Sequence, residues 1–112
     1  MVFIYITCKN KEEAEKIGLH LVKKRLAVCC NIFPVDSIYW WSSFVKASED
    51  KKEKIVQDKE IVLIVKTLEK NFKKIEKEVK KLHSYTTPCI LEIPIGRGNA
   101  DYLNWFKKEI TP

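Results

Sequence analysis

Residues 54–82 read KIVQDKEIVLIVKTLEKNFKKIEKEVKKL, and the apolar period changes inside them. Up to Thr67 the stretch is rich in β-branched residues, and Ile61–Val65 is continuously apolar, which predicts a strand over 54–67. Beyond it Leu68, Phe72, Ile75, Val79 and Leu82 recur at spacings of four and three. At about 100° per residue they form one narrow stripe, the mark of an amphipathic helix. Lys70, Lys73, Lys74, Lys77, Lys80 and Lys81 take the opposite side, a solvated face.

Working outward, residues 42–53 (SSFVKASEDKKE) are polar and carry no period, so they read as an inserted loop or hairpin tip. Residues 28–41 (VCCNIFPVDSIYWW) form another extended segment, in which Pro34 calls for a bulge or an edge. Further back, residues 2–8 (VFIYITC) read as a strand. Asn10, three before Glu13, then opens a helix in the manner of a capping box. Ala14, Ile17, Gly18, Leu21, Val22 and Leu26 carry that helix over 11–26, and Gly18 on its stripe permits close packing on a sheet. On the other side, residues 88–95 (PCILEIPI) make a fourth strand. Cys89, Leu91, Ile93 and Ile95 share one of its faces, and Pro94 marks an edge. Asn99 caps a last helix over 100–110, packing through Leu103, Phe106 and Ile110 with Trp105 beside them.

The order β-α-β-β-α-β-α implies an α+β fold, a ferredoxin-like βαββαβ sandwich with an extended hairpin between strands 2 and 3 and an added C-terminal helix. Residues 1–112 form a single domain. Strands 1 and 3 are central, since they are the continuous apolar runs, and strands 2 and 4 carry the prolines. We read strand 1 as parallel to strand 3. Two helices cover one face of a four-stranded sheet, yet both central strands are apolar on both faces. The uncovered face is a patch that a soluble monomer seldom tolerates, so the pattern favours an oligomer.

The chain has 112 residues, 46% hydrophobic and 32% charged, the balance of a globular domain rather than a disordered one. A formal net charge of +6 allows polyanion binding without demanding it. No apolar run approaches the roughly 20 residues of a membrane span, and the N-terminal MVFIYITCKN lacks the basic start of a secretory signal. A cytoplasmic, reducing environment is the expectation. Cys8, Cys29, Cys30 and Cys89 then read as free, buried small hydrophobes. No P-loop, G-x-S-x-G or H-E-x-x-H occurs, so no enzymatic chemistry is indicated. His20 falls off the apolar stripe and reads as exposed. His83 closes helix 2, where it meets the negative end of the helix dipole; its functional alternative is a metal ligand or polar site residue. Tyr39, Trp40 and Trp41 place aromatics on both faces of strand 2, as subunit-interface anchors do.

Residues 26–32 (LAVCCNI), 37–41 (SIYWW), 59–67 (KEIVLIVKT), 82–88 (LHSYTTP) and 101–106 (DYLNWF) stand in the order and spacing of the CutA family, named for divalent-cation tolerance. The chain resembles that family over nearly its whole length. The resemblance implies a compact, thermostable, cytoplasmic homotrimer without enzymatic activity. It implies copper or another divalent ion as partner, and neither nucleic acid nor membrane. It marks Lys66, Tyr85 and Glu92 as a polar site, and His83 as a metal-associated position. The family's strand-1 cysteine aligns with Ile6, leaving Cys8 as the nearby thiol. With strands 1 and 3 parallel, Cys8 and His83 fall at opposite ends of a subunit, and only contact between subunits joins them. Copper binding is therefore expected to be weak and non-stoichiometric, since either residue alone offers one soft or imidazole ligand. The chain departs from the family in the insertion of about ten residues after the tryptophans, long for a hairpin loop. It departs again in His83-Ser84-Tyr85 and in Cys89, where an acid is common. A PII-like small-ligand signalling trimer, using the 42–53 loop, is the alternative function. An RNA-binding domain of RRM type ranks below it, because EIVLIVKT offers no base-stacking aromatics.

Overall fold

The computed structural model describes residues 1–41 and 54–110; the expected 42–53 insertion lies outside them. The elements follow the expected order: β1 (Val2–Cys8), α1 (Lys11–Lys23), β2 (Cys29–Trp41), β3 (Lys54–Thr67), α2 (Phe72–Leu82), β4 (Ile90–Pro94) and α3 (Ala100–Ile110). The four strands form one sheet ordered β2-β3-β1-β4, so the two apolar strands are central and both proline-bearing strands are edges. Pro34 stands in an unbroken register opposite Ile61, and no bulge is needed.

One expectation is overturned. β1 runs antiparallel to β3, pairing Val2 with Thr67 and Cys8 with Ile61. The α1 crossover returns β2 in the direction of β1, and the reversal between β2 and β3 then turns β3 against both. α2 departs from the Thr67 end of the sheet and runs back to the Cys8 end. Cys8 and the end of α2 therefore meet at the same corner of one chain.

The shared face of α1 and α2 covers one side of the sheet. Ile4, Ile6, Cys8, Leu63 and Val65 meet Ile17, Leu21, Ile75 and Val79 there, all fully buried. At Gly18 an added Cβ would lie 3.3 Å from Leu63 Cδ1, so the bare backbone sets how closely α1 approaches. α1 stops at Lys23 rather than 26, because Arg25 takes a left-handed conformation (φ 59°) that unwinds the chain. The Leu26 carbonyl, freed from the helix, accepts bonds from the Thr67 hydroxyl and the Asn71 amide, tying the end of β3 to the exit of α1. A 3-10 turn, Glu69–Asn71, precedes α2. β4 is shorter than read: Cys89 and Ile95 lie outside it. His20 is half-buried rather than exposed, with Nε2 3.6 Å from the Glu78 carboxylate.

On the opposite face Phe3 and Tyr5 are half-buried, and Leu91 and Ile93 are exposed. α3 reaches this face near one end, where the Lys66 ammonium donates to the Tyr102 hydroxyl (3.1 Å) and lies 5.7 Å from the centre of the Phe3 ring. Beyond the last β1–β3 pair, β2 and β3 continue alone as a ribbon from Val35↔Glu60 to Trp41↔Lys54. Ile38, Trp40 and Ile55 share one ribbon face, and Tyr39 and Trp41 the other.

Candidate functional site

Three chain ends converge at the Cys8 corner: the end of β1, the start of α1 and the end of α2. Asn10 caps α1, its Oδ1 accepting the Glu13 N–H at 2.8 Å. That cap turns the Glu13 carboxylate back over the helix start. Its Oε1 accepts the Lys9 N–H (3.1 Å), and its Oε2 accepts the Ser84 N–H (3.0 Å). His83 ends α2 with an extended backbone, its N–H still bonded to the Val79 carbonyl. Its side chain is fully enclosed and that of Glu13 nearly so. Nδ1 accepts the Tyr85 N–H at 3.0 Å, so the imidazole proton sits on Nε2, which donates to the Thr7 carbonyl at 2.8 Å. The Cys8 thiol is fully buried beside them. One ligand atom from each of Cys8, Glu13 and His83 lies within 4.8 Å of the others.

Burial raises the Cys8 thiol to about 12, with the Glu13 and Glu60 carboxylates adding to the effect. Burial by itself would also raise Glu13, but hydrogen bonds from Ser84 and Lys9 and the nearby His83 outweigh it, and the carboxyl titrates below its ordinary range. The corner therefore holds a neutral thiol, a carboxylate whose two oxygens each hold a backbone donor, and an imidazole engaged at both nitrogens. To ligate a metal ion, Cys8 would have to be a thiolate and His83 would have to offer a free imidazole lone pair. As they stand, these residues do not fit a resident metal.

The other sequence-derived positions lie apart. Tyr85 donates its hydroxyl to Glu60 (2.9 Å) at the root of the ribbon, and burial and that carboxylate raise the phenol. Lys66 sits six residues along β3 from Glu60, about 20 Å away at the strand rise, with its ammonium raised chiefly by the bond to Tyr102. Glu92, opposite Ile4, faces the helix side of the β4 edge. Lys66, Tyr85 and Glu92 do not converge within one chain. Glu13 was legible in the sequence only as a capping residue; nothing in its spacing signals that it also receives Ser84. Tyr39, Trp40 and Trp41 do fall together on the ribbon, on its two faces as read.

A family model described as CutA1 divalent ion tolerance protein matches residues 2–109. The chain is 44% identical over 108 residues to a divalent-cation tolerance protein CutA of Archaeoglobus fulgidus, covering 96% of each. It is 38% identical over 110 residues to the Thermotoga maritima protein of the same name, covering 98% of this chain and 99% of that one. Among solved structures, that of the Archaeoglobus fulgidus protein, described as a periplasmic divalent cation tolerance protein, superposes with a TM-score of 0.85 over 98% of this chain and 99% of its own. Among the described residues no helix is long and apolar enough to cross a membrane.

Proposed function

This chain belongs to the CutA1 divalent ion tolerance family, and from that membership we propose that it is a non-enzymatic homotrimer acting in divalent-ion tolerance or response, with copper the first ion to test. The observation that carries the assembly is the ribbon. Ile38, Trp40 and Ile55 are 71%, 68% and 61% exposed on one face, and Trp41 is 58% exposed on the other. A two-stranded ribbon is marginally stable in water by itself, and aromatic side chains this exposed mark an interaction surface. The open sheet face, with Phe3, Tyr5, Leu91 and Ile93, is a second apolar surface on the same chain. Docking the ribbon of one copy on the sheet face of the next makes a heterologous contact, which generates a closed ring where the rotation closes. A trimer is the ring that the family resemblance implies.

Copper(II) favours imidazole and copper(I) thiolate. His83 supplies an imidazole engaged at both nitrogens and Cys8 a buried, protonated thiol, so copper there binds weakly and below one ion per chain. Light scattering coupled to gel filtration tests the assembly: a mass three times the 13.2 kDa chain supports it, and a monomer at the same concentration overturns it. Copper and zinc tolerance of cells with and without the chain tests the role separately from the assembly.

A further inference from the structure

The chain leaves α2 at Leu82 and must pass around the end of the sheet to reach the edge strand β4. Between them the backbone is irregular, and its inward N–H groups need acceptors other than a ladder. Ser84 and Tyr85 find theirs on Glu13 and His83. The His83 ring is in turn fixed by Thr7, and Glu13 by Asn10 and Lys9. We propose that Cys8, Glu13 and His83 are a metal-free clasp: Glu13 and His83 pin residues 83–85 onto the ends of β1 and α1, and Cys8 packs beside them as a thiol. The clasp delivers the Tyr85 hydroxyl to Glu60, and so positions the side chain that braces the root of the ribbon.

The metal alternative makes opposite demands on the same atoms. An ion on Nε2 displaces the proton that now bonds Thr7. The remaining ring proton then belongs on Nδ1, where it faces the Tyr85 N–H, donor against donor. An ion on the carboxylate competes with the Lys9 and Ser84 N–H groups, which have no other acceptor among the described residues. An ion on Cys8 requires a thiol proton to leave a site that already holds a carboxylate. The clasp, in contrast, places every side-chain polar atom of Glu13 and His83 in a hydrogen bond within the chain.

This inference stands independently of the trimer and of the tolerance role. Its test uses the purified full chain, stripped with EDTA and then dialysed against zinc(II) or copper(II). Stripping is expected to leave the unfolding temperature unchanged, and zinc to bind at less than about a tenth of an ion per chain at this corner. In the stripped protein Glu13→Ala and His83→Ala each lower the unfolding temperature by about 5 °C or more, and Cys8→Ala by less. Imidazole nitrogen spectra of the unmutated chain should show His83 protonated on Nε2 alone. A drop in unfolding temperature on stripping overturns the clasp. So does stoichiometric zinc that Cys8→Ala, Glu13→Ala and His83→Ala remove alike, or a His83 spectrum protonated on Nδ1. The stripping and spectral measurements need no variant to fold.

Discussion

The corner at Cys8 and the ribbon ending at Trp41 lie on the same β2-β3-β1 sheet and are opposites in how complete they are. At the corner the polar atoms of Glu13 and His83 have partners within the chain. On the ribbon Trp40, Trp41, Ile38 and Ile55 present large apolar surface to solvent. The difference follows from neighbours. The corner lies where three elements end together, so backbone donors from each meet inside one chain. The ribbon outruns β1, and among the described residues its large apolar side chains stay exposed. The corner is a structure already satisfied, and the ribbon one that a second copy would satisfy in the proposed trimer.

The sharpest way to break this contrast is a charge on the ribbon. Trp40→Asp is expected to dissociate the assembly to a 13.2 kDa species on sedimentation while near-native secondary structure persists, because buried aromatic anchors contribute about 2 kcal/mol or more and a buried charge costs further. If the mass is unchanged, the ribbon is not the contact. A corner variant should do the reverse. Glu13→Ala leaves the Lys9 and Ser84 donors without an acceptor and is expected to destabilise each chain by about 2–4 kcal/mol in denaturant unfolding, with the assembled mass retained.

Acid should weaken the corner. The Glu13 carboxyl is lowered in the folded chain. Its contribution is thus present above the unfolded value of about 4.3 and is lost as pH falls through the folded value. Glu78, held at about 2 chiefly by its bond to Lys24, acts in the same sense at lower pH. Through Glu13, stability should decline as pH falls below about 4, less steeply in Glu13→Gln. The unfolding midpoint against pH checks this, and an equal slope in both proteins would remove Glu13 from the account. A smaller effect is expected at the far end of the open face. Lys66→Met removes the bond to Tyr102 and should cost about 1 kcal/mol, read from the same unfolding curves. Least of all is expected from replacing 42–53 with an Asn-Gly turn. The segment is polar with little to bury, and the unfolding temperature should move by less than about 10 °C.

Much of the fold was legible. The 54–67 strand, the 72–82 helix stripe and the 100–110 helix declare themselves because each period holds over enough residues to exclude the other. The end of α1 was not legible. Val22 and Leu26 continue a helical stripe, and only the left-handed turn at Arg25, formed so that the Leu26 carbonyl can meet Thr67 and Asn71, stops the helix at Lys23. The candidate site was legible in pieces. His83 and Cys8 drew notice by residue type and Glu13 by its spacing from Asn10, but the parallel reading of strands 1 and 3 put Cys8 and His83 at opposite ends of one chain.

Composition, period and punctuation by themselves determined the element types, the central place of the two apolar strands and the apolar excess on both faces of the sheet. These are properties of residues near one another in the chain, where burial follows from alternation or from a stripe. The tertiary structure alone decided the direction of β1 against β3, the convergence of Cys8, Glu13 and His83, and the separation of Lys66 from Tyr85. A period of two reads the same in either direction along a strand, so the pattern carries no arrow. The arrow comes from how the α1 crossover and the β2–β3 reversal close the sheet, and with it came the corner.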